Sequence, residues 1–91
     1  MYILECVDGS YYVGSTKDLE RRLAQHQDGV GAKYTARRLP VKLVYAEEYE
    51  RVADAFRREK QVQNWSRSKR QALIDGNVAM LPHLAKKKFR E

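Results

Sequence analysis

A chain of 91 residues supports one domain near the small end of what buries an adequate core, so nearly every element has to belong to the fold itself. Its net charge of +6 is uneven: residues 1–50 carry seven Lys/Arg against eight Asp/Glu and residues 51–91 eleven against four, which favours a polyanionic partner, nucleic acid before membrane surface. The single cysteine, Cys6, excludes an internal disulfide and a multi-cysteine zinc site; with no charged leader and no apolar run near ~20 residues, the expectation is a cytoplasmic protein with no membrane partner.

Residues 2–7 and 10–14 are rich in Tyr, Ile, Leu and Val and flank Asp8-Gly9, a hairpin signal. Two registers are open. A two-residue turn at Asp8-Gly9 places Tyr2 and Tyr12 on opposite faces of the sheet. A type I turn at Val7-Asp8, with Gly9 left-handed in a bulge, pairs Leu4 with Tyr12 and Tyr2 with Gly14, and all four then share one face. A functional tyrosine pair requires the second register, in which Gly14 leaves clearance in front of Tyr12 for a phosphate.

Residues 15–29 read as a helix, with Ser15, Thr16 or Asp18 as its cap and Gly29 at its end. Its core-facing side carries Leu19 and Leu23 together with Arg22 and His26, whereas Arg21 points away; Arg22 and His26 stand at i and i+4, so both can act on one object. A glycine-marked loop with room for one helical turn follows. Its Lys33, Tyr34, Thr35, Arg37 and Arg38 set an aromatic among positive charges, which suits a phosphate track with one stacked base.

Residues 41–49 form a third strand behind Pro40. Arg51–Trp65 form a helix, and Ser66 caps another that reaches Ile74 before Gly76. A last short helix is expected from Val78 to about Ala85, and residues 86–91 form a basic tail that, with Arg67, Lys69 and Arg70, extends the track. The order strand, strand, helix, strand, helix, helix implies an α+β fold. It is a small three-stranded antiparallel sheet flanked by helices, one domain over residues 1–85 followed by the tail.

On the Arg51–Trp65 helix, the 3.6-residue period puts Val52, Ala55, Phe56 and Val62 on one buried stripe and Arg57, Arg58 and Lys60 on the solvated side. Glu59 falls inside that stripe. A buried carboxylate needs a cation, a metal or water at a cleft edge, so Glu59 is either half of a structural ion pair with an arginine or a metal ligand.

Tyr2, "YVG" at Tyr12–Gly14, "DLERRLAQH" at Asp18–His26, "GVGAKYT" at Gly29–Thr35 and "RRE" ending at Glu59 together resemble the GIY-YIG nuclease domain. More narrowly they resemble its small stand-alone bacterial branch, related to the N-terminal nuclease domain of excinuclease C, over Tyr2 to about Ile74. The resemblance implies that Tyr2 ends the first motif and Tyr12 opens the second, that Arg22 contacts the scissile phosphate, that His26 supports them, and that Glu59 holds one divalent ion, Mg²⁺ or Mn²⁺. Either tyrosine could orient or deprotonate the attacking water. The "GI" before Tyr2 is missing, and neither Asn64 nor Asn77 is placed as the family's late asparagine.

The implied function is a metal-dependent DNA endonuclease hydrolysing phosphodiesters of single-stranded or branched DNA in repair or recombination. The alternative is a non-catalytic nucleic-acid-binding or adaptor module on the same scaffold, needing a protein partner for activity. A third reading, a basic protein whose Glu59 merely pairs with arginine, carries no site at all.

Overall fold

The computed structural model describes residues 1–76, so Asn77, the helix expected from Val78, the tail and the boundary at residue 85 lie outside the described residues. Seven elements run in the order β1 (Tyr2–Glu5), β2 (Tyr11–Gly14), α1 (Leu19–Gln27), α2 (Lys33–Ala36), β3 (Lys42–Ala46), α3 (Val52–Gln63) and α4 (Arg67–Ile74). The α+β order is the expected one, with the strands shorter than the apolar runs that announce them.

The hairpin adopts the bulged register. Tyr2 pairs with Gly14 and Leu4 with Tyr12, Gly9 sits at φ 86°, and its N–H donates to the Cys6 carbonyl at 2.9 Å. β1 is the central strand of an antiparallel sheet ordered β2-β1-β3. On its other side Ile3 faces Tyr45 and Leu4 faces Leu43, so Val44 is the extra residue of a bulge.

Strand alternation divides the core in two. Ile3, Val13 and Tyr45 face α3 and α4, where Val62 and Leu73 are buried. Tyr2, Leu4, Cys6 and Val41 face the other way, against Leu19 and Leu23 of α1. The caps follow local chemistry: Asp18 accepts from the Arg21 N–H at 3.1 Å and Ser66 from the Lys69 N–H at 3.2 Å, while Gly29 and Gly76 follow their helices at positive φ.

The buried face of α3 differs from the expected stripe. Ala55 and Val62 are buried, but Val52 and Phe56 are 55% and 53% exposed, and Arg58, expected in solvent, is 6% exposed. The reason is a partner outside the helix. Glu47, just past β3, accepts from Arg58 Nε at 3.1 Å and from the hydroxyls of Tyr45 and Tyr49 at 2.7 Å each, and the guanidinium lies over Trp65 at 4.8 Å. This neutralised, fully hydrogen-bonded knot lets a guanidinium enter the core and turns the helix toward it.

Candidate active site

The end of the sheet where β1 starts and β2 stops brings the predicted residues together. Tyr2 and Tyr12 share a face, their ring centroids 6.4 Å apart, and His26 of α1 packs edge-on against both at 5.8 and 5.2 Å. The Tyr2 hydroxyl is 2.8 Å from His26 Nε2, and His26 Nδ1 is 2.8 Å from Thr35 Oγ1. Tyr2 is 2% exposed, while His26 and Thr35 are both fully buried. The positive charge of Arg22 acts on the Tyr2 hydroxyl and favours its ionised form.

Burial, reinforced by Tyr12 and opposed by Arg22, pushes the Tyr2 pKa up to about 12. Burial and then the charge of Arg22 lower that of His26, so the imidazole is neutral at pH 7. The Tyr12 phenol is raised by burial and by Glu59, whose charge is thus felt inside the pair.

Two glycines make room for these rings. A Cβ on Gly14 would lie 2.6 Å from the Tyr2 hydroxyl oxygen, and one on Gly31 would lie 2.6 Å from His26 Nδ1. Gly14 therefore gives clearance to Tyr2, not to a phosphate in front of Tyr12 as the strand pattern suggested.

Glu59 approaches from the α3 side. Its carboxylate accepts from Ser15 Oγ at 2.6 Å and Gln63 Nε2 at 2.8 Å, with the exposed Lys60 ammonium at 3.9 Å, and the side chain keeps 13% exposure. The arginine partner expected of a purely structural glutamate is elsewhere, since Arg58 belongs to Glu47. Two neutral donors orient the carboxylate and leave lone pairs over. Among the described residues no group of three or more His, Cys, Asp or Glu could hold a metal, so any ion here would have one protein carboxylate and otherwise water or phosphate oxygens. That set fits Mg²⁺, which keeps most of its waters.

Tyr2, Ser15 and Arg22 line an open cleft together with residues 47–50 and Val52. Tyr12 instead opens on a shallow groove with Tyr34, Gln63 and Arg70. Of the loop residues expected to meet nucleic acid, Lys33, Tyr34 and Arg37 are exposed and Arg38 partly so. Tyr34 stacks on Tyr12, with Arg38 3.8 Å from its ring centre and ion-paired to Asp8. Thr35 is a correction: with no exposed surface and its hydroxyl between His26 and the Ala32 carbonyl, it is withdrawn from any phosphate track. Asn64 is an exposed cap residue of α3.

Ser15, Gln63, Gly31 and the inward role of Thr35 escaped the sequence reading. Gln63 alone carried a signal, standing at i+4 from Glu59 on the same helix. Ser15, a candidate cap of α1 by sequence, donates to Glu59 while Asp18 caps the helix.

The model of the GIY-YIG catalytic domain matches residues 1–72. The chain belongs to the GIY-YIG family. Within it, a UPF0213 protein of Streptococcus pneumoniae is 47% identical over 77 residues, covering 85% of this chain and 78% of the relative. One from Halobacterium salinarum is 45% identical over 74 residues, 81% of this chain and 96% of the relative. The solution NMR structure of a UPF0213 protein from Bacillus halodurans is 44% identical with a TM-score of 0.53, covering 81% and 79% of the two chains. This GIY-YIG domain thus has a nuclease-type fold, of a kind that acts on DNA. No helix among the described residues is long and apolar enough to cross a membrane.

Proposed function

We propose that this chain is a metal-dependent endonuclease that hydrolyses DNA phosphodiesters, with single-stranded or branched DNA as substrate and repair or recombination as setting. The observation that carries the proposal is the convergence of Tyr2, Arg22, His26 and Glu59 on one end of the sheet, with Glu59 oriented by neutral donors and, among the described residues, no arginine paired to it.

With a pKa of about 12, Tyr2 is tyrosinate only to roughly one part in 10⁵ at pH 7, so it needs somewhere to send its proton. His26 Nε2, neutral and 2.8 Å away, is within reach. Tyr2 therefore takes a proton from the attacking water as its own moves to His26. The water oxygen bonds to phosphorus, the bond to the leaving oxygen breaks, and that oxygen takes a proton from solvent while His26 returns its own through Tyr2 to solvent, which restores the site. Arg22 donates to the non-bridging oxygens as charge builds on them. A Mg²⁺ or Mn²⁺ ion at Glu59 supplies further charge neutralisation there when bound. Tyr12 packs against His26 and keeps the ring in place. Lys33 and Arg37 offer phosphate contacts at the rim, beside the stack that Tyr34 makes with Arg38.

Incubating the purified chain with single-stranded, duplex and flap DNA, with Mg²⁺, Mn²⁺ or chelator, tests the reading. Metal-dependent cleavage is expected, falling about 10²-fold or more in Arg22→Ala with DNA binding less affected, and lost in Glu59→Ala. Failure to cut any substrate at any protein level, or variants that cut as the parent does, refutes it. DNA binding without cleavage would favour the adaptor alternative.

A further inference from the structure

The His26 ring is held from below as well as from above. We propose that Thr35 is a positioning residue of the reaction: it fixes His26 in the tautomer that carries its proton on Nδ1, so that a bare Nε2 faces Tyr2. The inference rests on the endonuclease reading only for what the tautomer is used for. The assignment itself comes from counting protons. A threonine hydroxyl has one, and we assign that of Thr35 to the Ala32 carbonyl oxygen, which lies at 3.2 Å and can only accept. Toward His26 Nδ1, 2.8 Å away, the hydroxyl then presents a lone pair, so Nδ1 carries a hydrogen. A neutral imidazole has only one, so Nε2 accepts and the Tyr2 O–H donates to it.

The opposite tautomer would turn an N–H toward Tyr2. The phenol proton could then not move to His26, and the path from water through Tyr2 would close. Among the described residues no side chain is hydrogen-bonded to the ring besides Tyr2 and Thr35. Tyr2 faces it from β1, Tyr12 from β2 with ring contact only, and Arg22 stands on its own helix as a positive charge that disfavours the imidazolium. Gly31 lies against Nδ1 where any side chain would push the ring off Thr35. The segment from Gly31 to Thr35, a basic loop by sequence, thus has an inner side that sets the proton inventory of the site.

Nitrogen NMR of the imidazole in the ¹⁵N-labelled chain, without DNA or metal, reads the tautomer directly. The wild type is expected to show a protonated Nδ1 and an unprotonated Nε2. Thr35→Val, which keeps the shape and removes the hydroxyl, should lose that signature, and Thr35→Ser should keep it. In cleavage assays Thr35→Val should lower kcat by about 10²-fold with KM little changed, with recovery in Thr35→Ser. A wild-type spectrum with the proton on Nε2, an unaltered signature in Thr35→Val, or a lost signature with unchanged kcat overturns the proposal. Should Thr35→Val fail to fold, the wild-type spectrum and the Thr35→Ser kinetics still decide it. A wild type that cuts no DNA refutes the endonuclease reading, and the spectrum then judges the tautomer alone.

Discussion

Tyr2 and Gly14 face each other across the β1–β2 ladder so closely that one methyl group would be felt. Gly14→Ala should lower stability by about 1–3 kcal/mol, measured by urea denaturation, and displace the Tyr2 hydroxyl from His26. The contrasting substitution is Glu59→Gln. It keeps a side chain of the same shape with hydrogen-bonding capacity toward Ser15 and Gln63, so stability should stay within about 1 kcal/mol while calorimetric Mg²⁺ binding is lost. A large loss of stability in Glu59→Gln would return Glu59 to a structural role. At this scale the sequence was most legible where chemistry is local. Helical spacing put Arg22 with His26, whereas strand alternation allowed two hairpin registers, of which only the bulged one, the register a functional tyrosine pair requires, puts Tyr2 with Tyr12. Glu59 was singled out through a stripe that the structure rotates away, because the arginine beside it is drawn inward by Glu47, which no pattern within α3 announces. Thr35 was hidden for a related reason, since Lys33 and Arg37, two positions to either side, are solvent-facing charges.

Elements were legible in order and in their caps, because hairpin, cap and glycine signals act within a few residues. What anchors α3 is long-range: Arg58 and Glu47 are each about 5% exposed at the side chain and share hydrogen bonds with Tyr45, Tyr49 and Gln61. Glu47→Ala strands a buried guanidinium and should cost about 3–5 kcal/mol. The double variant Glu47→Leu/Arg58→Met should recover most of that in the same denaturation series. If Glu47→Ala costs under 1 kcal/mol, the knot does not orient the helix. Arg58 and Glu59 are consecutive yet serve different sides of α3, one step of roughly 100° turning the helix from anchor to site.

For the molecule as a whole, the buried ring groups predict a stability profile with two limbs. His26 has a folded pKa below its ordinary 6.5, so the unfolded chain binds the proton more readily; stability is complete above that value and declines as pH falls below it. Tyr2, Tyr45 and Tyr49 have folded values raised by burial, the last two also by Glu47, so their contribution is complete below about 10 and is lost as pH rises beyond it. Thermal melts from pH 4 to 11 should show both limbs, and His26→Gln should flatten the acidic one. An unchanged acidic limb in that variant would mean the proton is taken up elsewhere. Gln63, which turns the Glu59 carboxylate, uses the same amide to cover the Val13 carbonyl at 3.1 Å on β2, a strand at the edge of the sheet. Replacing it to retune the site would also uncover a position where a second chain could add a strand, so a Gln63 variant that loses cleavage has to be weighed by sedimentation before its loss is charged to chemistry.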